Sequence, residues 1–260
     1  MNSRQLGLSL IELMIALLIS SFLILGVTQL YINNKQNYLF HQGQTNNQEN
    51  ARYSLMMFEQ QLAKAGFKRR PFVDSTAEFP AKNYTAASCN FTAGQTIYAP
   101  TDQSLCIRYK PRDNLERDCL GNGPASTSGL NTPYTESPGE FVERYSLVTN
   151  DGEDLASLTC TTASGSGALI DGVADLRFDF GFDDQPRTVS SYDSSPATSK
   201  QIGAVRYRLL LASKKNLRSG DNPILQNWNT RYRTATNRLP DDGRIYQVAS
   251  STLTLRNLMP

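Results

Sequence analysis

The chain has 260 residues, 39% of them hydrophobic and 19% charged, with a formal charge of +2. That length permits one large domain or two small ones, and the composition excludes wholesale disorder. So small a charge argues against a dedicated nucleic-acid binder, whose affinity would rest on many phosphate contacts.

The first predicted element is an apolar helix. From Leu8 to Ile32 there is no proline and a single charge, Glu12. At about 1.5 Å per residue this stretch reaches roughly 37 Å, enough to cross a hydrocarbon core of about 30 Å. A secretory signal would be shorter and end in a small-residue cleavage site, which Gly26-Val27-Thr28-Gln29 does not supply, so the helix is expected to stay attached. Arg4 and the initiator amine favour a cytoplasmic start, although Lys35 on the far side weakens that bias. Glu12 is the oddity. A carboxylate at mid-membrane costs about 2.5–3.5 kcal/mol on insertion scales, and its place one turn inside the apolar run lets snorkelling reduce that cost. On these features alone, a simple membrane anchor is the plain reading.

The second predicted element continues the first. Ala51, Leu55, Phe58, Leu62 and Ala65 recur at helical spacing, with Arg52, Glu59, Gln60 and Lys64 between them, which predicts a helix face packed on a sheet from residue 51 onward. The polar stretch containing Gly43 predicts a kink or break near residues 41–48. Gly66 is the expected stop, Lys68, Arg69 and Arg70 suit the negative end of the helix dipole, and Pro71 prevents continuation.

After Pro71 short apolar alternations separated by Ser, Thr, Asn, Gly and Pro predict strands at 104–109, 141–148, 155–160, 173–182, 202–212 and 244–256. Leu176, Phe178, Phe180 and Phe182 fall on one face of a strand, with Arg177 and Asp179 on the other, and Val205, Tyr207, Leu209 and Leu211 form a second stripe. Residues 111–140 and 183–200 read as insertions. The fold class is therefore α+β: a long N-terminal helix, half transmembrane and half amphipathic, packed on an antiparallel sheet with long loops. The expected divisions are a leader at 1–7, a transmembrane helix at 8–32, its extramembrane continuation at 33–70 and a β-rich head at 71–260.

Cys89, Cys106, Cys119 and Cys160 show no Cys-x-x-Cys spacing, so two disulfides in an oxidising compartment are expected, with buried free thiols as the alternative. Four cysteines allow three pairings; proximity in sequence favours Cys89–Cys106 and Cys119–Cys160. Catalytic signals are weak. His41 is the single histidine and has no neighbouring triad partners, and no phosphate-binding loop is present. The acidic groups Asp151, Glu153, Asp154 and Asp183, Asp184, Asp193 do not follow a calcium-loop pattern. No enzyme activity, cofactor or metal is expected. Lys68, Arg69, Arg70, Lys214, Lys215 and Arg218 could touch DNA, and solubility or helix-end electrostatics account for them equally well.

The run Gly7-Leu8-Ser9-Leu10-Ile11-Glu12 resembles the class III signal of type IV prepilins. The resemblance implies cleavage by a prepilin peptidase between Gly7 and Leu8 and N-methylation of Leu8, where the family usually has phenylalanine. It also gives Glu12 a role: an N-terminal ammonium on a neighbouring subunit could pair with this carboxylate in an apolar setting and so fix subunit register. Residues 51–67, the strand LIDGVADLRFDFGFD and the ending TLTLRNLMP are similar to PilW-like minor pilins.

That likeness implies a minor pilin that helps initiate filament assembly and forms part of the tip complex. Its expected partners are other minor pilins, the major pilin, the inner-membrane assembly platform and a tip adhesin. The head would lie in the periplasm before assembly, with the helix in the inner membrane, and at the pilus tip afterwards. A J-type pseudopilin of a type II secretion system and a tip module binding an adhesin or DNA are the alternatives.

Overall fold

Leu10–Leu62 form one uninterrupted α-helix, α1, of 53 residues, roughly 80 Å long. The structure is a computed structural model and describes residues 9–136, 139–149, 151–183, 188–195 and 200–259. Every residue from Ser9 to Tyr38 is exposed, and the first buried position is Gly43. From there Gly43, Asn47, Ala51, Ser54, Phe58 and Leu62 make one buried seam at steps of three and four.

The expected break near residues 41–48 is therefore absent, and Gly43 serves a different purpose. A Cβ at this position would lie 2.9 Å from Leu217 Cδ1 and 3.3 Å from Ser213 Cβ, so glycine lets the helix approach the loop. One turn later the Asn47 amide donates to the Ile245 carbonyl at 2.9 Å. Helix–head packing thus begins a full two turns before the apolar stripe that announces it.

The head follows as α2 (Ser75–Glu78), β1 (Lys82–Tyr84), β2 (Cys89–Phe91), β3 (Ile97–Thr101), β4 (Ser104–Tyr109), β5 (Phe141–Val148), β6 (Ala156–Thr162), β7 (Gly165–Asp183), β8 (Ser191–Asp193), β9 (Gln201–Ala212), α3 (Pro223–Tyr232) and β10 (Tyr246–Thr254). The main sheet is antiparallel in the order β10-β9-β7-β6-β5-β4-β3, with β8 beside β7 and β1-β2 as a separate hairpin. Nineteen residues long, β7 bridges two groups of strands: residues 165–173 pair with β6, and 173–183 pair with β9.

One face of this sheet carries α1. Phe58 is fully buried there, with ring centroids 4.6 Å from Tyr207, 5.5 Å from Tyr145 and 5.9 Å from Phe178. Tyr207 Oη also donates to the Leu55 carbonyl at 3.2 Å. Leu176, Phe178 and Phe180 point into this core as their alternation predicts, while Phe182 is only half-buried.

The other face is covered as well, which the alternating polar residues do not announce. Helix α3, capped by Asn222 and opened by Pro223, packs Leu225 and Trp228 on Leu210, Ala212 and Tyr246. Beneath it Asp175 is wholly buried. It accepts from Trp228 Nε1 at 2.7 Å and pairs with Arg233 at 2.9 Å and Arg177 at 3.3 Å, so the buried charge is met by cations.

Two disulfides fasten the loop-rich side. Cys89–Cys106 ties the β1-β2 hairpin to β4, and Cys119–Cys160 ties the loop after β4 to β6. That loop is organised from Arg112 to Thr135 by Arg69, whose guanidinium donates to the carbonyls of Arg112, Gly129, Leu130, Thr132 and Thr135.

The helix end differs from expectation in its chemistry. Its last turn contains no basic residue: Arg69 goes to the loop, and Arg70 pairs with Glu78 at 2.8 Å. The terminal carbonyls are met instead by Asn257, which donates to Ala63 at 2.9 Å and Ala65 at 3.2 Å. Gly66, at φ +71°, then turns the chain so that its N–H reaches the Arg108 carbonyl at 3.0 Å.

Candidate assembly site

Ser9 precedes α1 with extended backbone angles, as an N-cap should. Its carbonyl accepts from Glu12 N at 3.0 Å and Leu13 N at 3.2 Å, but its hydroxyl makes no capping bond. Glu12 stands three residues after Ser9, the spacing of a capping box. The reciprocal side-chain contacts are not formed. The Glu12 carboxylate accordingly has no partner among the described residues and sits in the first helical turn, where the helix dipole favours negative charge. Gly7 and Leu8, the expected cleavage and methylation positions, lie outside the described residues.

Glu12 is set in a bare apolar column. Leu10, Ile11, Leu13, Met14, Ile15, Leu17 and Leu18 are each more than half exposed. α1 is the one helix among the described residues that is long and apolar enough to cross a membrane. In lipid, or within a bundle of like helices, such a surface is covered by hydrocarbon, and an unpaired carboxylate there is penalised by several kcal/mol. Catalysis requires convergent side chains around a reacting centre, and this linear column offers a single titratable group.

The other residues singled out by sequence are dispersed. His41 is exposed on the helix beside Phe40, their ring centroids 6.0 Å apart. Arg69, Arg70 and Arg218 are engaged within the head, Arg218 with Asp241 at 2.9 Å, while Lys214 and Lys215 are exposed. Asp154 pairs with Arg244 at 2.8 Å, Asp193 accepts from Ser195 N at 3.0 Å, and Asp184 lies outside the described residues.

Sequence reasoning missed Glu143. This fully buried carboxyl accepts from Tyr109 Oη at 2.7 Å and Cys119 N at 2.9 Å, and also from Tyr145. Burial holds its pKa above the ordinary carboxylate range. Cys119, Glu143 and Cys160 have ligand-type atoms within 4.8 Å of one another, but the two sulfurs are joined in a disulfide, so the group is a structural knot.

Two family models match the chain. Residues 144–257 match "Type IV Pilus-assembly protein W", a stretch running from β5 through the Asn257 contact, and residues 2–28 match "Prokaryotic N-terminal methylation motif". No curated protein matches. Among solved structures, a type IV-like pilin from Thermus thermophilus aligns over 81% of this chain and 97% of its own at 12% identity, with a TM-score of 0.42.

Proposed function

We propose that the chain, in which residues 144–257 match the PilW model and residues 2–28 the N-terminal methylation motif, is a type IV minor pilin that helps initiate filament assembly and takes its place in the tip complex. The observation that carries this reading is the solitary Glu12 carboxylate on an exposed apolar helix that leads into a separately packed head. Cleavage between Gly7 and Leu8, followed by N-methylation of Leu8, produces a new cationic terminus. That ammonium on one subunit pairs with Glu12 on the next, and each charge removes the other's desolvation penalty. The helices of neighbouring minor and major pilins then cover the apolar column.

Before assembly the helix resides in the inner membrane with the head in the periplasm, where the disulfides persist. The prepilin peptidase and the inner-membrane assembly platform are the partners of that stage, and the tip complex follows. The role is structural rather than enzymatic. The PilW match supports a pilus over a secretion-system pseudopilus.

The test is Glu12→Gln, with intact protein level and leader removal followed alongside. Loss of the subunit from sheared filaments, with fewer filaments assembled, is expected while the membrane pool persists. Unchanged incorporation of the Gln variant overturns the pairing, and a mature protein that retains residues 1–7 overturns the processing.

A further inference from the structure

A cleft of about 860 Å³ opens beyond the C-terminal end of α1, the end of the helix remote from Glu12. Ile97, Phe180, Ile202 and Leu258 supply apolar lining. Lys68, Arg69 and Lys200 supply positive charge, and no Asp or Glu occurs among the described lining residues. Arg69 is bound by backbone carbonyls, which leave its full charge in place.

Ile97, Tyr98 and Ala99 of β3 all line the cleft in succession. Side chains alternate between the two faces of a strand, so a cavity touching three consecutive residues lies against the strand's edge. Among the described residues that edge is open, because β3 ends the sheet and pairs only with β4. Pro100 lies within the same strand, a position proline tolerates at a sheet edge, and its missing N–H limits pairing to the residues before it. Thr96 is a lining residue, and its hydroxyl, buried behind the wall, has no hydrogen-bond partner.

We propose that this cleft accepts an extended acidic segment of a neighbouring protein subunit, added as a strand along β3 with its carboxylates toward Lys68 and Arg69. Main-chain hydrogen bonds to Ile97–Ala99 supply the docking, alternate apolar side chains enter the lining, and the cationic wall selects the charge. The hydroxyl-rich walls also suit an acidic glycan, but the open strand edge favours a peptide backbone. The inference rests on the reading that the head is presented to other subunits.

The experiment uses the full-length protein in detergent micelles and fluorescein-labelled hexapeptides that alternate Val with Glu, Gln or Lys. Anisotropy should show saturable binding in the order Glu, Gln, Lys, with about a tenfold preference for Glu over Lys that Lys68→Glu removes. N-methylation of alternate peptide amides separates mechanisms: one parity should abolish binding and the other should leave it intact, because only every second amide faces the partner strand. Equal binding of both methylated peptides, preference for Lys, or no saturable binding by any peptide overturns the proposal. Displacement by tetragalacturonate together with parity-independent binding assigns the cleft to an acidic glycan and rejects the strand. If peptides fail to bind while filament incorporation still depends on Glu12, the cleft partner alone is rejected.

Discussion

Asn257 and Ala63, separated by nearly the whole head in sequence, are joined by a 2.9 Å hydrogen bond from the Asn257 amide to the helix-terminal carbonyl. The chain's last turn thereby completes its first helix. Replacing Asn257 with Ala leaves the Ala63 and Ala65 carbonyls short of a donor and is expected to lower head stability by about 1 kcal/mol in urea unfolding. Asn257→Asp should cost more, because it also places a carboxylate at the negative end of the helix dipole. An Asp variant as stable as wild type removes the cap from the account.

Gly43 offers a second test. Ala at this position gains helix propensity but presses on the end of the Leu217 side chain and on Ser213 Cβ, so the opposing effects should leave a net change within about 0.5 kcal/mol. Val reaches further into Leu217 and Ser213 and is expected to destabilise by about 1–3 kcal/mol, with faster hydrogen exchange at Ser213 N, which donates to Ile245 O. Equal stability of the Val and Ala variants excludes close packing as the reason for glycine.

The disulfide between Cys119 and Cys160 closes a long loop beside Glu143. The Cys119→Ser, Cys160→Ser double variant should lose about 2–4 kcal/mol of stability through greater freedom of the unfolded chain. Non-reduced peptide mapping of the wild type should recover Cys89 with Cys106 and Cys119 with Cys160. A link from Cys89 to Cys119 or Cys160 contradicts this arrangement.

Glu140 makes stability depend on pH. Burial raises its carboxyl from 4.5 to about 7, against the opposing pull of Lys82. Between those values the folded protein holds a proton that the unfolded chain has released. Its contribution is therefore fully present below pH 4.5, declines as pH rises, and is lost above about 7. Glu140→Gln should flatten the fall in urea midpoint across this window, by an amount on the order of 1–3 kcal/mol, and stabilise the head at pH 8 relative to wild type. Glu143, raised in the same direction, adds to the slope. A Gln variant with the full wild-type slope rules Glu140 out as its source.

Periodicity made much of the architecture readable. The long apolar run, the stripe through Phe58 and Leu62, and the alternation of Phe178 and Phe180 each state a local requirement that the fold satisfies. Gly43 was misleading because one residue type serves both a break and a close approach, and only the distant Leu217 distinguishes them. Asn222-Pro223 spells a readable helix start, yet α3 is short and lacks a long apolar period. The Asn257 contact links residues 194 apart, a distance no local pattern encodes. Glu12 announces itself as an anomaly, a lone charge in an apolar run, and no contact within the described residues explains it.

The packing of α1 against β9 and β10 also sets an order in time. The first segment to leave the ribosome must wait for the last strand before its buried seam can close, so sequence-distant contacts dominate and folding of the head is expected to be slow. Until residues 246–257 are in place, the half-helix from Gly43 to Leu62 lacks its final cover. Closing the seam therefore takes residues from both sides of the head at once, β10 and Asn257 as well as α1.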